Sequence, residues 1–137
     1  MKKLFFTLIA ILVGSFALIS MISNNSFLQD PWKAPGKYIK MENPFANAAD
    51  DDNIGRILYS KHCKSCHGKN GKGDGTKAES IDTPIGDFSD DSFKKQTDGS
   101  IYYKTIVGRD DMPSFEKKIN DEEERWLLVN YLRVLSN

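Results

Sequence analysis

A long apolar run opens the chain. Lys2 and Lys3 precede residues 4–22, which contain no charged side chain. As a helix this run would be about 28 Å long, close to the hydrocarbon thickness of a bilayer. We expect residues 1–22 to form an N-terminal hydrophobic helix that anchors the protein in the cell inner membrane; a cleaved signal peptide is the alternative. Because lysines stay on the cytoplasmic side, both alternatives place the rest of the chain in the periplasm or at the cell exterior.

Prolines interrupt the pattern of residues 23–52. Pro31, Pro35 and Pro44 leave no room for long helices, so we expect an irregular linker. This segment also contains aromatic residues, which are unusual in a flexible tether: Trp32, Tyr38 and Phe45. We expect such aromatic side chains to cover the surface of the folded domain or to contact a partner protein.

Helical periodicity begins after this linker and defines a domain over residues 53–137. The first helix is predicted at about residues 53–61, behind three aspartates that stabilise a helix N-terminus. Gly55 and Tyr59 share one face of this helix, so a partner helix could cross closely over the glycine. We expect that partner to be the last helix, through Tyr131.

Three more helices complete the pattern. A short one is expected over residues 90–95, and another is capped by Asp98 and stops at Gly108. The last helix follows Asn120, its predicted cap. Its broad apolar face is formed by Trp126, Leu128, Tyr131, Leu132 and Leu135. The pattern therefore predicts an all-α domain.

Composition narrows the class of protein. The chain has 137 residues, with 19 basic and 19 acidic side chains and no formal net charge. This balance indicates one small domain with extensions, and it leaves no basic surface of the kind that nucleic acids require. A domain of this size buries little apolar core by itself.

The candidate chemistry lies in the sequence Cys63-Lys64-Ser65-Cys66-His67. Two thiols separated by two residues can add across the two vinyl groups of one haem, and the histidine that follows can then bind the iron. We therefore predict one covalently bound haem c per chain. Cys63 and Cys66 would be its attachment points and His67 its proximal iron ligand.

Other chemistry at this spacing fits the chain less well. A thiol oxidoreductase would carry its C-x-x-C after a strand, whereas the residues before Cys63 have a helical pattern. A structural zinc ion requires four ligands, and the available cysteines and histidines lie too close along the chain to surround it. His62 is expected to be a solvated residue beside the haem.

Met112 is the predicted distal iron ligand. It is the one methionine within residues 53–137. A thioether is a soft, neutral ligand that suits ferrous iron, and no free histidine can reach the far side of the ring. Pro113 would stiffen the loop that presents the sulfur. The carbonyl of Pro84 is the predicted acceptor for the second ring N–H of His67.

Residues 53–135 resemble the class I monohaem cytochrome c family. The resemblance rests on the attachment motif, the glycine-rich loop over residues 71–75, Met112-Pro113 and the patterns of the first and last helices. It implies a cytochrome c fold in which three to five helices wrap around one covalent haem. It also implies thioether bonds at Cys63 and Cys66, with His67 and Met112 on the iron. Residues 31–35 and 41–44 are loosely similar to small cytochrome c subunits of respiratory assemblies such as alternative complex III.

With both axial positions occupied, the iron has no open position for a substrate. We therefore expect a one-electron carrier, not an enzyme, and one that acts in a periplasm-facing respiratory chain. Its redox partners would be a quinol-oxidising complex or a terminal oxidase. A haem enzyme or gas-binding protein with a displaceable Met112 is the main alternative, and a haem-free thiol oxidoreductase is the third hypothesis.

Overall fold

The structure, a computed structural model, describes residues 32–137. This part of the chain is built mainly from helices. Three helices of a single turn and three longer ones occur in this range, together with a 3-10 turn over Ala78–Ser80. The helices are α1 (Gly36–Ile39), α2 (Ile54–His62), α3 (Lys64–His67), α4 (Asp91–Lys94), α5 (Asp98–Val107) and α6 (Glu122–Ser136). No β-strand occurs within residues 32–137, where pairing is limited to one isolated bridge between Arg109 and Met112. The prediction of an all-α domain is confirmed.

The predicted N-terminal hydrophobic helix, residues 1–22, lies outside the described residues. From residue 32 onward, no helix is both long enough and apolar enough to cross a membrane. The predicted first and last helices of the domain correspond to α2 and α6.

Helices α2 and α6 cross with their backbones in close approach at Gly55. A Cβ atom added at Gly55 would lie 2.3 Å from the Leu127 carbonyl oxygen and 3.0 Å from Cβ of Tyr131. One turn further along α2, the ring of the buried Tyr59 lies 5.5 Å from the ring of Tyr131. The predicted crossing is therefore confirmed, and it depends on the absence of a side chain at Gly55.

Aromatic packing joins α5 to α6. The rings of Tyr102 and Trp126 lie 4.4 Å apart, and Trp126 is completely buried. Arg125 donates to the Tyr102 hydroxyl at 3.4 Å and to the Ile119 carbonyl at 2.8 Å. The core that these contacts extend contains Leu58, Tyr59, Cys63, Phe88, Ile101, Tyr102, Ile106, Phe115, Ile119, Trp126, Leu128, Val129 and Leu132. Cys63 thus belongs to the hydrophobic core.

Two helix caps lie one residue away from their predicted positions. Thr97, not Asp98, caps α5, and Asp121, not Asn120, caps α6; each side chain accepts a hydrogen bond from the N–H three residues later. Asp98 instead forms an ion pair with Arg133 of α6 at 2.8 Å. The carboxylate of Asp98, which local sequence predicted to cap α5, therefore forms a tertiary ion pair instead.

Asp50 holds the N-terminus of α2. Its two carboxylate oxygens accept hydrogen bonds from the N–H groups of Ile54, at 2.6 Å, and Gly55, at 2.9 Å. Asn53, the residue before the helix, has a left-handed backbone with φ of 56° and provides no side-chain cap. Asp50 therefore satisfies two N–H groups that lack helical partners, and its charge complements the helix dipole.

Residues 33–52 pack onto the helices and belong to the same compact unit, 33–137. The ring of Tyr38 lies 4.7 Å from that of Tyr103 in α5. Asn43 donates to the Asn130 side chain at 2.8 Å, and Asn130 donates to the Phe45 carbonyl at 2.8 Å. Tyr38 and Phe45 therefore cover the surface of their own domain, which is the first of the two alternatives expected for them.

We expect Gly55→Ala to lower the free energy of unfolding by about 1–3 kcal/mol, because the new methyl group must push the α6 backbone away. Guanidinium denaturation followed by circular dichroism measures this change. Gly36→Ala is the matched control, since Gly36 is also helical and has no atom within 4 Å of the added Cβ. Equal stability of the two variants would contradict the tight crossing.

We expect Asp50→Ala to destabilise the protein by about 1–2 kcal/mol in the same assay, because two N–H groups of α2 lose their acceptor. Asp52→Ala removes the same charge from the same end of the helix. Within the described residues Asp52 is exposed and its carboxylate accepts no hydrogen bond, so a loss of at most about 0.5 kcal/mol is expected there. If the free energy of unfolding falls by the same amount in both variants, charge alone stabilises this end of the helix.

Candidate functional site

The predicted attachment motif forms a tight helical turn at the end of α2. Cys63 follows the last residue of α2, and its carbonyl accepts hydrogen bonds from the N–H groups of Cys66, at 3.1 Å, and His67, at 2.9 Å. Residues three and four apart lie on the same face of a helical turn. The structure therefore brings the two thiols and the imidazole together, as a group that binds all three would require.

The two thiols are free, and the thiol of Cys63 does not have the character of a redox nucleophile. Burial, reinforced by the neighbouring Cys66, raises the pKa of the Cys63 thiol to about 12. A thiol of this kind stays protonated at neutral pH, whereas catalytic C-x-x-C motifs depend on a thiolate stabilised by a lowered pKa. This environment argues against the thiol oxidoreductase hypothesis.

The ring of His67 packs against aromatic side chains. Its ring stacks on Phe88 with centroids 4.9 Å apart, and Phe88 stacks in turn on Phe93 at 4.6 Å. Burial lowers the pKa of His67, which favours the neutral imidazole that binds metals. Nδ1 of His67 is buried and has no hydrogen-bond partner in the described part of the chain.

The predicted hydrogen bond from His67 to the Pro84 carbonyl is therefore wrong. The segment that follows Pro84 is held by the glycine-rich loop instead. Phe88 donates its N–H to the Gly71 carbonyl at 2.8 Å, and the Ile85 carbonyl lies so close to Gly73 that an added Cβ would be 2.7 Å away.

The glycine-rich loop folds back along the attachment turn. The His67 carbonyl accepts a hydrogen bond from the Gly73 N–H at 3.0 Å, and the Cys66 carbonyl accepts one from the Gly75 N–H at 3.1 Å. Gly68 has φ of 82°, and the carboxylate of Asp74 occupies the place where a Cβ would be. The backbone of the glycine-rich loop therefore packs directly against one side of the attachment turn.

Tyr59 adds a contact that sequence reasoning did not anticipate. Its hydroxyl donates a hydrogen bond to the Gly68 carbonyl at 2.7 Å, and both groups are buried. Burial raises the pKa of Tyr59, so the hydroxyl keeps the proton that it donates. One residue of α2 thereby supports both the crossing with α6 and the backbone next to His67. The sequence indicated only that Tyr59 lies on the same face of the helix as Gly55, and gave no sign of its hydrogen bond.

His62 is not the solvated residue that was expected. Its ring packs edge-on against Phe115 with centroids 5.5 Å apart, and its Nε2 is buried without a partner among residues 32–137. Burial, and after it the charges of Lys61 and Lys118, lowers the pKa of His62. The difference arises because Phe115, distant in sequence, covers the end of α2.

Met112 lies in a short, self-closed loop after α5. Arg109 and Met112 exchange two backbone hydrogen bonds, each 2.9 Å long, and Asp110 at the corner has a left-handed backbone with φ of 53°. Gly108 allows this closure, since a Cβ there would lie 2.4 Å from the Met112 carbonyl oxygen. The loop returns to α5 where Phe115 donates its N–H to the Ile106 carbonyl at 2.8 Å. Met112 itself is half-buried.

The described residues fit a covalently bound haem. Two free thiols and a buried, unpartnered imidazole nitrogen lie on one turn next to apolar and aromatic side chains. No group of three or more His, Cys, Asp or Glu side chains suited to a metal ion occurs among residues 32–137. Two hydrogen bonds from Thr83 to Asp111 connect the segment before Phe88 with the Met112 loop.

Comparison with known proteins identifies the family. Residues 50–132, more than half of the chain, match the family model described as cytochrome C oxidase, cbb3-type, subunit III. A search of curated proteins found no match. The matched segment contains α2, the attachment turn, the Met112 loop and most of α6. The chain therefore belongs to this family of class I monohaem c-type cytochromes, electron-transfer proteins whose cofactor is a covalently bound haem c.

Proposed function

We propose that the protein is a one-electron carrier with a single haem c ligated by histidine and methionine. Cys63 and Cys66 would hold the haem through thioether bonds, and His67 and Met112 would bind the two axial positions of the iron. The observation that carries this proposal is the attachment turn, which holds two free thiols and an imidazole whose Nδ1 is buried and whose pKa is lowered by burial.

The conformation of the loop that carries Met112 supports its assignment as the distal iron ligand. The loop is closed by two backbone hydrogen bonds, Gly108 permits its close return, and Pro113 restricts the backbone that follows the sulfur. Met41, the other methionine of the described residues, packs against the core from the segment before α2. Met112 is thus the methionine that a rigid loop presents.

Electron transfer requires that the ligands stay in place in both oxidation states. Haem c, when bound, supplies an iron that alternates between the ferric and ferrous states. The chain contributes a thioether ligand, which raises the reduction potential relative to two histidines, and an apolar surround that disfavours the extra charge of the ferric state. With His67 and Met112 both bound to the iron, no position would be left for a substrate.

The family name suggests where the electrons go. The matched family is named after a subunit of a cytochrome c oxidase, so we place this chain on the electron path to a terminal oxidase, as a membrane-anchored cytochrome or as a subunit of the complex. Residues 1–22 would anchor it in the inner membrane with the haem domain in the periplasm. Anchoring would raise the effective concentration of the domain near its partners, including a quinol-oxidising complex as donor.

Visible spectra test the ligand assignment. We expect the full-length protein, matured with haem, to show a low-spin spectrum that carbon monoxide does not change after reduction, because Met112 blocks the iron. Met112→Leu should bind carbon monoxide promptly and have a lower reduction potential, while Met41→Leu should behave like the unmodified protein. Prompt carbon monoxide binding by the unmodified protein would contradict the carrier model and favour a catalytic or gas-binding role.

Membrane extraction tests the anchor. We expect the full-length protein to remain in the membrane fraction after a high-salt wash and to be released by detergent, because a spanning apolar helix is not held by charge. The same domain exported behind a cleavable signal peptide is the control and should be soluble. Recovery of the full-length protein in the salt wash would contradict anchoring by residues 1–22.

A further inference from the structure

Two loops that are distant in sequence meet at one carboxylate oxygen. Oδ2 of Asp111 accepts a hydrogen bond from the Thr83 hydroxyl at 2.5 Å and a second from the Thr83 N–H at 3.2 Å. The two residues are 28 positions apart. Neither hydrogen bond belongs to a helix or a helix cap, so this contact is tertiary and joins the segments that carry it.

Thr83 is attached to the His67 side of the site. Its segment continues to Phe88, which stacks on the His67 ring and donates its N–H to the Gly71 carbonyl. The same segment lies against Gly73 through the Ile85 carbonyl. Thr83 is therefore linked to the backbone that surrounds the attachment turn.

Asp111 is attached to the Met112 loop. It directly precedes Met112, whose N–H and carbonyl both bond to Arg109. The ion pair between Arg109 and Asp110, at 3.1 Å, joins neighbours within the loop and does not connect it to another segment. Asp111, in contrast, reaches out of the loop to Thr83.

We propose that the Thr83–Asp111 contact is a latch that holds the Met112 loop closed and so controls how readily the methionine sulfur leaves the iron. This proposal rests on the proposed function, in which Met112 is the distal ligand. Thr83 and Asp111 are positioning residues, because they act through Met112. Hydrogen bonds to a charged acceptor are stronger than neutral ones, but this pair is exposed and water competes for it. The latch therefore tunes the opening of the loop without determining the fold.

Binding of imidazole to the ferric, haem-loaded full-length protein tests the latch, because imidazole can bind only after the methionine has left. We expect Thr83→Val and Asp111→Ala each to increase the apparent affinity for imidazole by about three- to tenfold, the size of effect of an exposed, charge-assisted hydrogen bond. The long-wavelength absorption band of methionine-ligated ferric haem should weaken at lower imidazole concentration in both variants. Asp111→Ala removes both hydrogen bonds and Thr83→Val only the one from the hydroxyl, so the double variant should differ little from Asp111→Ala.

Matched control variants separate the loss of the latch from the loss of a surface hydroxyl or of a neighbouring charge. Thr76→Val makes the same chemical change at an exposed threonine whose hydroxyl has no hydrogen bond within the described residues, and Asp110→Asn removes the neighbouring charge at a position where asparagine tolerates the left-handed backbone. Both controls should bind imidazole like the unmodified protein. Thr83→Ser keeps the hydroxyl and should also match it.

The outcomes distinguish the two proposals. If the unmodified protein shows the methionine band and ignores carbon monoxide, while Thr83→Val and Asp111→Ala bind imidazole no more tightly than the controls, the latch is overturned and the proposed function stands. If the unmodified protein lacks the band and binds carbon monoxide, the proposed function fails, and the latch fails with it.

Discussion

The close crossing of α2 and α6 at Gly55 is the contact on which the described fold depends. Any side chain at Gly55 would occupy the space of the Leu127 carbonyl, so the two helices can approach only at a glycine. The crossing fixes the axis of α2, and the end of α2 carries Cys63 into the hydrophobic core. The position of the haem attachment turn is thus set by a helix contact on the other end of the same helix.

Backbone contacts hold the site on one side, and aromatic side chains hold it on another. Carbonyl groups of the attachment turn accept hydrogen bonds from N–H groups of the glycine-rich loop, and the Tyr59 hydroxyl connects the Gly68 carbonyl, directly after the turn, to α2. Phe88 connects the His67 ring to the same loop. These contacts fix the orientation of the His67 ring within the domain.

The Met112 loop is organised differently. Its turn closes on itself, and its far end returns to α5 through Ser114 and Phe115, which both bond to the Ile106 carbonyl. The loop therefore keeps its internal shape by local contacts, while its position relative to the His67 side depends on tertiary ones. This division would allow the loop to shift as a unit without unfolding the helices around it.

Much of this protein could be predicted from sequence because the decisive signals are local. The attachment motif is a matter of spacing within one helical turn, and the period of apolar residues located α2 and α6. The glycine and aromatic positions on one face of α2 predicted the crossing with Tyr131, since residues four apart on a helix share a face. The family match over residues 50–132 agrees with the prediction drawn from these motifs.

Tertiary structure decided what local pattern could not. Asp98 was expected to cap α5, yet Arg133 binds its carboxylate and Thr97 takes the cap. His62 was expected in solvent, yet Phe115 packs against it. The sequence by itself determined the three longer helices, the haem attachment turn and the candidate ligands, because each is encoded within a few neighbouring residues. Only the tertiary structure decided which side chains meet across the site, because contacts such as Thr83 with Asp111 join residues whose separation along the chain carries no periodic signal.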